Sequence, residues 1–128
     1  MKLFIIWSIL LLLGGFSVLP ENKCEAYKTG KFRIVDKKNK LEFTIERNDT
    51  LQTETNMADG QKARFRVNWL SDCRYTLTVI DGPRELTDFY KDKMLIVDIV
   101  KTNDEGYYSS SRLEGFDRVS KVFLKKIH

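Results

Sequence analysis

Histidine is all but missing from this chain: its one copy is His128, the last residue. A Ser/His/Asp or Cys/His apparatus would therefore rest on a chain end, where order is poorest. Cysteine is scarce as well. Cys24 and Cys73 are the two copies, too few for the Cys and His clusters that hold zinc. No glycine-rich phosphate loop and no dinucleotide fingerprint occurs. Two prolines interrupt the chain, and neither a repeat nor a low-complexity segment is visible. These absences lead us to expect no catalytic residue, no metal site and no cofactor.

A strong excess of one charge is lacking too. Lys and Arg number 22 against 18 Asp and Glu, and the signs are interspersed except at "SKVFLKKIH", where Lys121, Lys125 and Lys126 cluster. Nucleic-acid binders gather positive charge on one face. We read the tail as a solvated strand end and expect no nucleic-acid partner. The stretch "RFRVNW" interleaves Arg64 and Arg66 with Phe65 and Trp69. On a strand those arginines and rings point to opposite faces, so they cannot form one base-stacking surface.

What the chain does have is an apolar leader. Residues 1–20, "MKLFIIWSILLLLGGFSVLP", set Lys2 before a continuous apolar run and close on small residues and Pro20. This is the pattern of a secretory signal helix. It divides the chain into a signal segment at 1–20 and a single β-domain at 21–128. Export to the periplasm, the outer envelope or the outside follows, with membrane contact only through the signal segment if it stays uncleaved. Cys24 follows Glu21, Asn22 and Lys23, without the small residue a lipid acceptor needs.

Beyond the leader, alternation with a period of two dominates, broken at short intervals by turn residues. "KFRIV" turns Phe32 and Ile34 to one face, and "LEFTIER" turns Leu41, Phe43 and Ile45. "LQTET" is a weaker, more polar strand. "KARFRVNW" sets Ala63, Phe65, Val67 and Trp69 against Lys62, Arg64, Arg66 and Asn68. "CRYTLTVI" aligns Cys73, Tyr75, Leu77 and Val79. Between 83 and 92 the rhythm changes: Pro83 suits a first helical turn, and Leu86, Phe89 and Tyr90 have helical spacing. "MLIVDIV" reads as a central strand, with "YYSSSRL" and "VSKVFLKKI" as the last two.

About eight short strands with one short helix predict an all-β fold, an antiparallel meander closing into a small lipocalin-like barrel or a bent sheet. A two-sheet sandwich is the alternative. Phe32, Phe43, Phe65, Trp69, Tyr75, Leu77, Ile96 and Phe123 are the expected inward residues. A barrel of this size is filled by its own side chains or holds one small ligand. In the second case Phe43, Phe65, Trp69, Tyr75, Leu77 and Asp98 would line the cavity. Asp98, inside "LIVDIV", must point outward, find a cationic partner or bear a raised pKa. With Asp72, Asp81, Asp104 and Asp117 it is also a candidate for carboxylate catalysis.

Two smaller features remain. "NDT" at 48–50 fits an N-glycosylation acceptor and equally an Asx-type hairpin turn. Tyr107, Tyr108 and Phe116 are candidates for an exposed binding patch.

Two cysteines in an exported chain read first as a structural disulfide, Cys24 to Cys73; redox work usually uses C-x-x-C. At this point "CEAYKTGKF" (24–32), "ERNDTLQ" (46–52) and "WLSDCRYTL" (69–77) together resemble a family of small exported proteins and lipoproteins of Bacteroidetes-type bacteria. Its pattern runs C-x-x-[FY]-K-T-G-x-F, then R-N-D-[ST], then W-x-x-D-C-x-Y. The resemblance implies that Cys24 and Cys73 are the family's paired cysteines, framed by Lys28, Thr29, Gly30, Trp69 and Asp72. This chain lacks the lipid-attachment cysteine of many members. Some members bear the label DNA topoisomerase IV, but an exported β-domain with no ATPase motif and no DNA-cleavage domain is not that enzyme.

The sequence thus leads us to expect a non-enzymatic, disulfide-stapled binding or structural module of the bacterial envelope, its partner an envelope protein. A lipocalin-like carrier of a small apolar ligand is the first alternative, and a carboxylate-based hydrolase the second.

Overall fold

The alternation in "KARFRVNW" has a direct structural result: Ala63, Phe65 and Val67 are buried while Lys62, Arg64, Arg66 and Asn68 are exposed. A strand with one apolar and one charged face must lay the first on a core. Repeated along the chain, this gives eight strands, described by a computed structural model over residues 22–128. The signal segment assigned at 1–20 lies outside the described residues.

The strands are β1 (Gly30–Asp36), β2 (Leu41–Arg47), β3 (Leu51–Asn56), β4 (Lys62–Ser71), β5 (Arg74–Asp81), β6 (Leu95–Thr102), β7 (Gly106–Leu113) and β8 (Ser120–Ile127). Each pairs antiparallel with its neighbour in sequence, and β8 returns to β1, so the meander closes into a barrel. The closed barrel is the expected fold; closure excludes the alternative of a two-sheet sandwich and removes the free sheet edges. The seam is short: Lys31, Phe32 and Arg33 of β1 pair with Ile127, Lys126 and Lys125 of β8. One helix, α1 (Arg84–Tyr90), interrupts the meander between β5 and β6. Among the described residues no helix is long and apolar enough to cross a membrane.

Turn chemistry fits the register. Asn48 accepts backbone N–H bonds from Thr50 and Leu51 at 3.0 and 2.8 Å, an Asx turn joining β2 to β3. Asn103 does the same for Glu105 and Gly106. At Gly106 a side chain would run into the Leu124 carbonyl of β8, so only glycine lets β7 begin there. β4 runs to Ser71 rather than ending at Trp69, and Asp72 and Cys73 alone form the turn into β5.

The interior is filled. Phe32, Ile45, Phe65, Val67, Tyr75, Leu77, Val97, Ile99, Tyr107 and Leu124 form the core. Two expected core residues belong on the other face. Ile96 sits in register with Thr76 and Arg112, on the outside, because its neighbours Val97 and Ile99 take the inward positions of β6. Phe123 likewise lies outside, stacked on Tyr108 with ring centroids 4.7 Å apart, while Leu124 points in.

Before β1 the chain makes a single 3-10 turn, Cys24–Tyr27, whose Cys24 and Tyr27 are buried. Cys24 is bonded to Cys73 in the β4–β5 turn across 49 positions of sequence. The turn plugs one end of the barrel. Lys23 donates its N–H to Thr102 Oγ1 at 2.9 Å, and Lys126 donates to the Ala26 carbonyl at 3.2 Å.

A crosslink closing a loop of 49 positions removes chain entropy worth about 4 kcal/mol. Replacing both cysteines by serine is expected to lower the unfolding free energy by about that amount in urea denaturation. A loss under about 1 kcal/mol would show that the plug is held by its packing alone.

Candidate functional site

The two barrel ends differ in chemistry. At the plugged end the inward parity of β2, set by Phe43 and Ile45, carries on to Arg47, which is 3% exposed. A buried guanidinium is tolerated only if its charge and its donors are met. Nε donates to the Lys28 carbonyl at 2.9 Å. Nη1 donates to Gln52 Oε1 at 2.9 Å and to the Tyr75 hydroxyl at 3.0 Å. Nη2 donates to the Tyr27 carbonyl at 2.7 Å and to the Tyr107 hydroxyl at 2.9 Å. A guanidinium has five N–H bonds, and each has an acceptor.

Rings complete the shell. The guanidinium carbon lies 4.8 Å from the Phe32 ring centroid, 4.7 Å from that of Tyr75, and 5.7 Å from those of Trp69 and Tyr107. The electron-rich faces disperse a charge that no carboxylate touches. Burial works against the charged form of Arg47, but the phenol oxygens of Tyr75 and Tyr107 outweigh it and raise the pKa. Burial, then Tyr107, pushes the Tyr75 phenol well above its usual value against the pull of Arg47.

The three sequence motifs meet here. Tyr27, Lys28 and Phe32 come from the first, Arg47 and Asn48 from the second, Trp69, Asp72, Cys73 and Tyr75 from the third. Lys28 pairs with Asp72 at 3.1 Å and stands over the Trp69 ring at 5.2 Å. The Trp69 indole N–H is buried without a partner. Every donor of Arg47 is committed within the protein, so its guanidinium is not available to an outside anion. The arrangement at this end closes the barrel.

The open end is chemically looser. Inward parity on β3 gives Gln52 and then Glu54, and Gln52 donates to Glu54 Oε1 at 3.1 Å. Burial raises the Glu54 pKa, although the Gln52 hydrogen bond and the Arg47 charge both pull it down. Beside Glu54 opens a pocket of about 240 Å³, lined by Phe43, Asn56, Gln61, Lys62 and Ala63 and roofed by Pro83 and Leu86 of the α1 segment. Tyr90 of α1 packs edge-on against Phe65 at 5.8 Å. Burial, then the Glu54 charge, raises its phenol pKa.

Of the residues proposed to line a cavity, Phe65, Tyr75 and Leu77 are core, and Trp69 packs on Tyr75 at 4.6 Å. Phe43 alone of the six borders the mouth pocket. Asp98 does not face the interior: its register with Arg74 and Ser110 is an outward one, and Arg74 Nε donates to it at 2.6 Å. Asp72 pairs with Lys28, and Asp81 accepts from Arg64 Nε at 2.9 Å, both on the surface. Asp104 and Asp117 are exposed elsewhere. Among the described residues no group of three or more His, Cys, Asp or Glu is placed to hold a metal ion.

Tyr107 is fully buried, so it drops out of the proposed binding patch; Tyr108 is exposed on the outer face. Phe116, in the β7–β8 turn, is half-exposed, and so is Phe89 of α1. Lys93 bridges them, its Nζ 4.6 Å from the Phe89 ring and 5.7 Å from Phe116. Between α1 and the β7–β8 turn runs a groove of about 430 Å³ lined by Phe89, Tyr90, Leu95, Leu113, Phe116, Arg112 and Arg118.

No family model, no curated protein and no solved structure matches the chain.

Two measurements test this assignment of roles. Arg47→Lys keeps the charge but has three donors in place of five, leaving buried acceptors unpaired. Its unfolding free energy should fall by about 2–4 kcal/mol, and wild-type stability would remove Arg47 as the organiser of this end. Glu54 has a folded pKa above its ordinary value of 4.5, so its contribution to stability is whole below that value and is lost as pH rises through the folded pKa. Glu54→Gln should therefore be more stable than wild type at pH 7 in urea denaturation, with the gap closing at pH 4; an equal gap at both would contradict a buried carboxyl.

Proposed function

We propose that this protein is an exported, non-enzymatic binding domain of the bacterial envelope, and that it belongs with the small β-domain family its motifs resemble. Convergence of the three motifs on one buried arginine and one disulfide supports the family reading, since residues far apart in sequence then share one structural task. The disulfide also supports export, because such bonds persist in oxidising compartments. Dispersal of the candidate aspartates over the surface, three of them paired with Lys or Arg, speaks against a carboxylate hydrolase.

The binding reading is carried by the groove beside α1. Phe89 and Phe116 are 53% and 52% exposed, and large exposed rings flanking a concave surface mark contact sites. Lys93, Arg112 and Arg118 border the same groove. That combination fits an envelope protein presenting an apolar segment flanked by acidic residues.

A carrier of one small ligand is the second reading. The packed interior gives such a ligand no room, and the pocket at the mouth is where this reading would place it.

Native mass spectrometry of the protein drawn gently from its own exported fraction tests these together. The expected species has lost the leader, shows the two-hydrogen deficit of the disulfide and retains one stoichiometric protein partner. Phe89→Glu with Phe116→Glu should keep the deficit and lose the partner. A bare monomer from the wild-type fraction would overturn the groove as a contact site, and two free thiols would overturn the staple.

A further inference from the structure

The mouth pocket poses a chemical question that the outer groove does not. Its walls are largely apolar, from Phe43, Ala63, Pro83 and Leu86, yet Glu54 borders it with a desolvated carboxyl. Oε1 accepts from Gln52. Oε2 has no hydrogen-bond partner among the described residues. Among the described residues the Trp69 indole nitrogen alone is a fully buried side-chain polar atom without a partner, so Oε2 of the half-buried Glu54 is open to the pocket, where a neutral donor or a cation can meet it.

We propose that the pocket between Glu54 and the α1 segment binds a small organic ammonium, a primary amine bearing a short alkyl or aryl group. An ammonium has three donors and a charge opposite to the carboxylate. Glu54 Oε2 takes one N–H; Asn56 and Gln61 border the same pocket, and Asn56 Oδ1, which already accepts the Ala58 N–H at 2.9 Å, keeps a second lone pair for another. The alkyl group lies against Phe43 and Leu86. A pocket of about 240 Å³ admits a chain of about four to six carbons, each buried CH₂ adding to the affinity.

Competing ligand classes fit less well. An anion would meet the Glu54 charge, and the one cation on the pocket wall, Lys62, is exposed on an outward-pointing position of β4. A metal ion would find one carboxylate, since Glu54 is the one Asp, Glu, His or Cys among the residues lining the pocket. A purely apolar molecule would leave Oε2 desolvated and unpaired.

The ionisable groups near Glu54 set the pH behaviour. Arg47 acts on it through Gln52 from β2, Tyr90 faces it from α1, and Lys62 of β4 stands at the rim on an outward-pointing position. Ammonium affinity therefore rises as pH climbs through the Glu54 titration and falls again when the amine loses its proton.

The test titrates the disulfide-bonded, nitrogen-15-labelled protein with butylamine, butanol and butyrate in turn, following amide shifts. Butylamine is expected to give saturable shifts at Phe43, Ala63 and Leu86, weaker at pH 4 than at pH 8, while butyrate gives none. Glu54→Gln should weaken butylamine by about tenfold or more and leave the weak butanol binding unchanged. Leu86→Trp, which fills the pocket and keeps the carboxyl, should weaken both. Butanol binding as tightly as butylamine would overturn the ammonium in favour of an apolar ligand. Unchanged butylamine affinity in either variant, or no saturable shift at the mouth, would overturn the site. None of these outcomes depends on the groove at Phe89 and Phe116.

Discussion

A guanidinium buried in a barrel must have every N–H met, and meeting the five of Arg47 determines much of what surrounds it. Two acceptors are the carbonyls of Tyr27 and Lys28, so the 3-10 turn has to sit over the barrel end. Two more are the hydroxyls of Tyr75 and Tyr107, which lie 3.0 Å apart and come from strands that do not neighbour each other. The fifth, Gln52, is the next strand's inward residue. One side chain thus ties the N-terminal turn, β3, β5 and β7 to β2. The disulfide fastens the same turn to the β4–β5 hairpin, so removing either tie leaves the other to hold the plug against the entropy of a free chain end.

This arrangement makes the two ends unequal. Aromatic rings, a crosslink and the fully engaged guanidinium of Arg47 fill one. At the other the strands end in turns at 37–40 and 57–61 and in the α1 segment, with apolar side chains left half-exposed at Met57, Phe89 and Phe116. Exposed rings and a desolvated Glu54 both cost stability. A rigidly closed end offsets such costs, and loops carried on a fixed scaffold are where binding chemistry usually sits.

Much of the fold was legible because period-two alternation is a geometric consequence of the pleat: the β4 and β5 residues Phe65, Trp69, Tyr75 and Leu77 follow from it directly. It fails where both parities are apolar. In "MLIVDIV" neither Ile96 nor Val97 announces its face, and only the ladder with β5 decides. Phe123 beside Leu124 is the same case. The helix was legible from Pro83 and the spacing of Leu86 and Tyr90. Arg47, Gln52 and Glu54 were missed, although the signal was present: extending the inward parity of Phe43 and Ile45 by one step lands on Arg47. A charged residue at a strand end is assigned to solvent by habit, and nothing local reveals that Tyr27, Lys28, Tyr75 and Tyr107, all distant in sequence, supply four of its five acceptors.

The position of the motifs bears on what a resemblance of this kind can transmit. Cys24, Tyr27, Lys28, Phe32, Arg47, Trp69, Asp72, Cys73 and Tyr75 all lie at the plugged end, where every polar group of Arg47 is already engaged. Those residue types at that spacing specify a way of closing a barrel. Glu54, Leu86, Phe89, Tyr90 and Phe116 lie outside the motifs, on β3, α1 and the β7–β8 turn. Leu86, Phe89, Tyr90 and Phe116 touch none of the acceptors of Arg47, and Glu54 meets them only through Gln52, so the mouth pocket and the outer groove can alter their chemistry while most of the closure stays intact. Two chains sharing the motifs are therefore expected to share the plug and the disulfide, and to differ in what they bind according to the residues at the positions of Glu54, Phe89 and Phe116.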